Sequence, residues 1–255
     1  MNQLTIVKIG GKIVENPEAL NALLKDFSLI AGYKLLVHGG GRSATDMAEK
    51  LGIKSEMIEG RRVTDEETLK IVTMVYGGLV NKNIVALLQA LKLDAIGLTG
   101  ADMNSMLAAK RPATDIDYGY VGDIKKVNGS VLSELLHLNY IPVLSPITHD
   151  GEGQLLNTNA DTIAGEVAKA LTFDFNVRLI YCFEKRGVLK DEKDENSIIP
   201  CMDKELFSRY KDEGIIQGGM IPKLENAFGA IAAGVKEVII TRASELNNGT
   251  GTFIQ

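Results

Sequence analysis

The 255-residue sequence holds only two cysteines, Cys182 and Cys201, with no CxxC motif or Cys/His cluster around either. That excludes a disulfide framework and a zinc ribbon, and it suits a reducing compartment, the cytoplasm. A basic excess is missing too: 28 Lys and Arg stand against 33 Asp and Glu, a net charge of −5. A nucleic-acid partner bound by broad phosphate neutralisation is therefore not expected. Met1 leads directly into Leu4-Thr5-Ile6-Val7 with no basic region before it and no small-residue cleavage site. No apolar run approaches the ~18 residues of a membrane span, so neither secretion nor insertion is expected. No block of like charges, low-complexity tract or fixed-period repeat interrupts the chain.

Metal-binding spacing is equally absent. His137 and His149 have no ligand partners at the intervals a metal site needs, and His38, just before a glycine turn, is expected to make a structural hydrogen bond. Met74, Met103 and Met106 are expected to fill core gaps. The acidic stretch 191–196 is expected to be a solvated loop.

What is present is an alternation of strands and helices. Leu4 to Ile9 is a short β-branched run that stops at Gly10-Gly11, and Lys34 to Val37 repeats the pattern before His38-Gly39-Gly40-Gly41. Asn16-Pro17 starts a helix whose Leu20, Leu23, Leu24, Phe27 and Ile30 share one face. Ser43 is expected to cap a helix through Leu51, and Thr64-Asp65-Glu66-Glu67 forms a capping box for a long helix to Leu91 despite Gly77-Gly78. Ala95–Leu98, Ile141–Ser145, Leu179–Phe183 and Val238–Ile240 read as further strands between helices, with hairpins expected over 118–127 and 149–156. The pattern predicts a three-layer α/β sandwich around a mostly parallel sheet, with a lobe boundary near 171–175.

In such a sheet the ligand site lies beyond the carboxyl ends of the strands. Gly10-Gly11 and Gly39-Gly40-Gly41 both fall there, where glycines admit close approach of an anion and the φ > 0 conformations of an anion-binding nest. Each turn alone reads equally well as a tight strand-to-helix connection; two together favour phosphate. There is no GxxxxGK[ST] sequence and no HRD or DFG motif, so any phosphoryl transfer belongs to another class. Lys8, just before the first turn, places an ammonium at the sheet's carboxyl edge. Lys223 follows Gly218-Gly219-Met220-Ile221-Pro222 in the first turn of a helix that Pro222 opens, where it opposes the helix dipole unless an anion binds nearby. In Asn157-Thr158-Asn159-Ala160-Asp161, either Asn159 or Asp161 serves as a helix cap; on a functional reading Asn157 binds substrate and Asp161 orients the two lysines. Arg62, in Gly60-Arg61-Arg62-Val63-Thr64, suits bidentate capture of a carboxylate.

Lys8-Ile9-Gly10-Gly11, His38-Gly39-Gly40-Gly41, Gly60-Arg61-Arg62-Val63-Thr64, Gly119-Tyr120-Val121-Gly122, Gln154 to Asp161 and Gly219-Met220-Ile221-Pro222-Lys223 resemble, in order and approximate spacing, the N-acetylglutamate kinases of the amino-acid kinase family. The resemblance runs over essentially the whole chain. It implies an open sheet of about eight main strands, residues 1–172 as an acyl-amino-acid-binding lobe and 173–255 as a nucleotide-binding lobe on one continuous sheet. It also implies ATP with Mg²⁺ as co-substrate, no tightly bound metal, small-molecule substrates and phosphorylation of a side-chain carboxylate in arginine biosynthesis. Lys8, Lys223 and Asp161 would be catalytic, and Gly40, Gly41, Arg62 and Asn157 would hold the acylated substrate. Gly10, Gly11, Gly187, Gln217 and Gly219 would serve the phosphates and nucleotide.

Three departures stand out. Phe183-Glu184-Lys185-Arg186-Gly187 lacks an aspartate usual in relatives, Gln217-Gly218 replaces a common Thr-Asp, and Arg42 follows the second glycine turn where proline or a small residue is usual. Arg42 raises the prospect of a succinyl rather than an acetyl group, whose extra carboxylate would need a cation. Only Met1 to Gln3 precede the first strand, where arginine-inhibited relatives carry an extra helix, so an arginine-insensitive homodimer is expected. Sibling kinases of aspartate, glutamate, carbamate or uridine monophosphate, and a catalytically silent sensor, are the competing readings.

Overall fold

Short runs of leucine, isoleucine and valine become parallel strands, because a strand covered on both faces carries apolar side chains at successive positions. The computed structural model describes residues 1–58 and 60–255. β1 (Asn2–Ile9) is followed by a short helix α1 (Gly11–Glu15) and by α2 (Pro17–Ser28), whose N-cap Asn16 accepts from the Ala19 N–H. β2 (Tyr33–His38) leads into α3 (Gly41–Lys50). The short strands β3 (Met57–Ile58) and β4 (Arg61–Arg62) pair antiparallel. A long helical run then comprises α4 (Glu66–Val72), a π-helical stretch Thr73–Val80, and α5 (Asn81–Ala90). β5 (Ala95–Leu98), β6 (Met106–Lys110), β7 (Gly122–Val127), α6 (Gly129–His137) and β8 (Ile141–Leu144) follow. β9 (Ile147–His149), β10 (Leu155–Asn157) and α7 (Ala160–Leu171) come next. The chain ends with β11 (Phe175–Phe183), β12 (Cys201–Met202), α8 (Lys204–Asp212), α9 (Met220–Ala232), β13 (Glu237–Arg242) and β14 (Thr252–Ile254).

The main sheet has eight strands in the order β12-β14-β13-β11-β1-β2-β8-β5. From β13 to β5 neighbours run parallel, and β14 joins β13 antiparallel at one edge. The three-layer sandwich is as the sequence predicts. Because successive side chains alternate between faces, β1 sends Leu4 and Ile6 into a core shared with α6, α7 and α9, and Val7 and Ile9 into a second core shared with α2 and the long helical run. β1 and β11, far apart in sequence, lie side by side over the full length of β1, so the segment 171–175 leads from α7 into a strand of the same continuous sheet.

A smaller four-stranded sheet, β10-β9-β6-β7, stands beside the carboxyl ends of the main strands. The hairpin expected over 149–156 is β9–β10. The one expected over 118–127 is corrected: β7 pairs antiparallel with β6, a strand that periodicity did not reveal. Caps also shift. Gly40, not Ser43, precedes α3, and Asp65, not Thr64, caps α4 by accepting from Thr68 N–H. Met106 is fully buried as expected, whereas Met74 and Met103 are more than half exposed. The run Glu66–Ala90 is long and apolar enough to cross a membrane by length and composition; here its Val72, Val75, Ile84 and Leu88 belong to the second core.

Gly119 has φ 70°, and a Cβ there would collide with the Thr64 carbonyl, which accepts from Tyr120 N–H. Gly119→Ala is expected to cost about 1–3 kcal/mol. The exposed Gly78, with open space around it, behaves oppositely, and Gly78→Ala should stabilise by up to about 1 kcal/mol. Urea melts check both; a shift of the same sign for the two variants would contradict this account.

Candidate active site

Strand parity brings the charged residues together. Lys8 has the parity of Leu4 and Ile6, so it faces α7 and α9, and only its position at the strand's end spares it from the apolar core. Its Nζ lies 2.6 Å from Asp161 Oδ1, and Lys223 Nζ donates to Asp161 Oδ2 at 3.1 Å. Asp161 is free for this because Asn159 caps α7, its Oδ1 accepting from the N–H groups of Asp161 and Thr162 at 2.8 and 3.1 Å. Tyr181 and Phe183, on the same side of β11, place their ring centroids 5.5 and 5.4 Å from Lys223 Nζ. The Tyr181 hydroxyl donates to the Asp161 carbonyl.

Burial alone would raise the Asp161 carboxyl, but Lys8 and then Lys223 outweigh it and hold it well below the usual carboxylate range. Lys223 is lowered, first by burial and then by Lys8, with Asp161 pulling the other way. Two cations on one carboxylate leave the cluster with a net positive charge. An incoming anion relieves that imbalance.

The two glycine turns face each other. A Cβ on Gly11 would stand 3.5 Å from Gly41 N and 3.7 Å from Gly40 N, and one on Gly39 would stand 3.3 Å from Gly11 N. A Cβ on Gly40 would press at 3.0 Å on the Tyr76 ring. The expected left-handed nest is not what these glycines provide: Gly10 is extended at φ −75°, Gly40 with φ 161° and ψ 15° lies outside both the extended and the left-handed regions, and none of the five is left-handed. Their purpose is close approach. Gly10 N–H donates to Cys182 O and Gly39 N–H to Ile9 O. The amides of Gly11, Gly40 and Gly41 stand at the mouths of α1 and α3, and unpaired helix-end amides favour an anion.

Lys8, Gly40, Gly41, Arg62, Asn157 and Asp161 line a single open cleft. Arg62 is 6% exposed; Nη1 donates to Ser55 Oγ, Nη2 to Gly41 O and Thr45 Oγ1, and Nε is buried with no partner among the described residues. Asn157 Nδ2 donates to Thr64 Oγ1 at 3.0 Å. Arg42 is exposed and lines a different groove with Lys12, Glu15 and Asp46. Gly187 and Gln217 line a separate hollow with Lys185 and Met220. Gly219 is the N-cap of α9, so Pro222 is the third helical residue rather than the first and Lys223 the fourth. Lys185 and Arg186 pair with Glu192 and Glu245, and Glu184 with Lys12.

Sequence reasoning missed four contributors. Glu15 accepts from Ser43 N–H and so ties the first helix to the mouth of α3. Tyr76 packs on Gly40, and the Tyr181 and Phe183 rings flank Lys223. The alternation of β11 carried the last signal, since Tyr181 and Phe183 share parity at its carboxyl end. Among the described residues no group of three or more His, Cys, Asp or Glu is placed to hold a metal ion.

The acetylglutamate kinase of Parabacteroides distasonis is 64% identical over 254 residues, covering all of both chains. That of Phocaeicola vulgatus is 64% identical over 99% of this chain and 98% of its own. Among solved structures, smu.665 from Streptococcus mutans UA159 superposes with a TM-score of 0.84 at 30% identity, over 99% of this chain and 98% of its own. Carbamate kinase from Giardia lamblia bound to AMP-PNP, 14% identical over 98% and 97% of the two chains with a TM-score of 0.67, shares the fold. The profile of the amino acid kinase family matches residues 3–242, and with the two lysines on one buried carboxylate and the facing glycine turns this establishes that the chain belongs to the amino acid kinase family.

Proposed function

We propose that the chain transfers the γ-phosphoryl group of ATP to the side-chain carboxylate of N-acetyl-L-glutamate, as the names of its 60–64% identical relatives suggest. The observation that carries this reading is the Lys8–Asp161–Lys223 constellation at the carboxyl ends of parallel strands, opposite two helix mouths. A substrate carboxylate oxygen attacks the γ-phosphorus, the bond to the β,γ-bridging oxygen breaks, and ADP leaves. The nucleophile is already ionised at neutral pH, with a reference pKa of about 4.3, so no general base is needed. Catalysis is positioning plus charge stabilisation. Lys8 and Lys223 neutralise charge on the transferring group, and Asp161 fixes both. The Gly11, Gly40 and Gly41 amides donate to it.

Arg62 and Asn157, which line the cleft, would hold the α-carboxylate end of the substrate in the lobe 1–172. The nucleotide would lie over 173–255, along the hollow of Gly187 and Gln217 and the mouth of α9 at Gly219. Mg²⁺ would neutralise the phosphates when bound. The homodimer and the step in arginine biosynthesis are part of the same reading; exposed Met74 and Leu79 give a second copy an apolar surface to cover.

ATP consumption with hydroxylamine trapping of the acyl phosphate tests the reaction. N-Acetyl-L-glutamate is expected to yield hydroxamate, and none from it or from its N-succinyl counterpart would overturn the proposal. Since Arg42 lies outside the cleft, Arg42→Ala should leave the preference between the two acyl groups unchanged; a change would return Arg42 to acyl recognition. Asp161→Asn removes the shared anion and leaves two lysines repelling. It is expected to lower kcat by about 10²–10³ with a much smaller change in KM, the pattern of lost transition-state stabilisation. A kcat close to the wild-type value would contradict the role given to Asp161.

A further inference from the structure

The Thr73–Val80 stretch is π-helical and hands over to α5 at Asn81. A π turn changes the angular register of everything after it, and such turns recur at functional sites. Here it sets Tyr76 on Gly40 and turns the Asn81 side chain, 1% exposed, into the sheet. Asn81 Nδ2 lies 2.9 Å from Val143 O and 3.1 Å from His38 Nε2, while Oδ1 accepts from Lys82 Nζ at 3.2 Å. The partners fix the amide's orientation, since a carbonyl demands a donor and an ammonium demands an acceptor. His38 Nε2 therefore accepts, and the ring's proton is on Nδ1, which donates to Gly39 O at 2.7 Å. Burial holds this imidazole neutral. The neighbouring strand β5 makes room for the amide: a Cβ on Gly97 would collide with Asn81 Oδ1.

Gly39 is thereby held at both ends, its N–H by Ile9 O and its C=O by His38. A trans peptide is planar, with N–H and C=O pointing in opposite directions. With Gly39 O drawn toward His38, the Gly40 N–H must point the other way, toward the first glycine turn, where a Cβ on Gly11 would stand 3.7 Å from Gly40 N. We propose that Asn81 and His38 are positioning residues, a two-link hydrogen-bond relay from α5 that aims the Gly40 amide at the transferring phosphoryl group. This rests on the phosphotransfer reading above.

The test uses the side chains that mimic one imidazole nitrogen each. An asparagine at position 38 offers its amide near the place of Nδ1, whereas a glutamine reaches the place of Nε2. In the hydroxylamine assay, His38→Gln and Asn81→Ala are expected to lower kcat by about tenfold or more, a partial loss of what an aimed oxyanion donor supplies, with the KM for ATP little changed. His38→Asn should recover most of what His38→Gln loses. Equal kcat losses in His38→Asn and His38→Gln, or wild-type kcat in His38→Gln and Asn81→Ala, would overturn the relay. Long-range ¹H–¹⁵N correlation on the wild-type protein separates this proposal from the reaction it serves, and needs no variant to fold. A proton on His38 Nδ1 supports the relay even if no hydroxamate forms, and one on Nε2 overturns it even if hydroxamate does.

Discussion

A single carboxylate, Asp161, holds two ammonium groups that reach it from opposite ends of the chain, Lys8 from the first strand and Lys223 from the last long helix. Removing one partner of a buried ion pair leaves an uncompensated charge, commonly destabilising by about 3–5 kcal/mol. This cluster differs in carrying one cation too many. The surplus makes the place receptive to an anion, and the facing helix mouths at Gly11 and Gly41 add their orphan amides to the same field. The fold works to keep these groups in register. β1 and β11 lie side by side, so Lys8 and the Tyr181 and Phe183 rings emerge at the same edge.

The sheet's two faces have separate duties. The face toward α6, α7 and α9 carries the charged cluster. The face toward α2 and the long helical run supports the second glycine turn through Tyr76, Asn81 and His38. A neutral histidine and an asparagine suit that second task, because a buried network stabilises only when every donor finds an acceptor. A charged side chain there would need a counter-ion within an apolar core.

The parallel strands were legible because each is a short apolar run, the first two ending in glycine turns, and the helices because Asn16-Pro17 and Thr64 to Glu67 mark their starts. The site was legible at Lys8, Lys223, Asp161, Arg62 and Asn157 because polar residues interrupt apolar stretches at strand and helix ends. β6, β12 and β14 were not, since strands of two to five residues carry too few positions for alternation to register. Nor was the cap of α7: Asn159 and Asp161 both fit, and only the backbone geometry decides for Asn159. The π-helical stretch has no local signal either, because its reason is tertiary, the seating of Tyr76 and Asn81. The left-handed glycine nest was a wrong inference from composition, as glycine serves close approach as readily as positive φ.

The most direct test of the central claim is a crystal structure with MgADP, N-acetyl-L-glutamate and aluminium fluoride as a mimic of the transferring phosphoryl group. The account predicts the Nζ atoms of Lys8 and Lys223 within about 3 Å of the fluoride ligands, with Asp161 still bridging both and touching none of them. A mimic bound away from both lysines, or an Asp161 that has released either one, would contradict it.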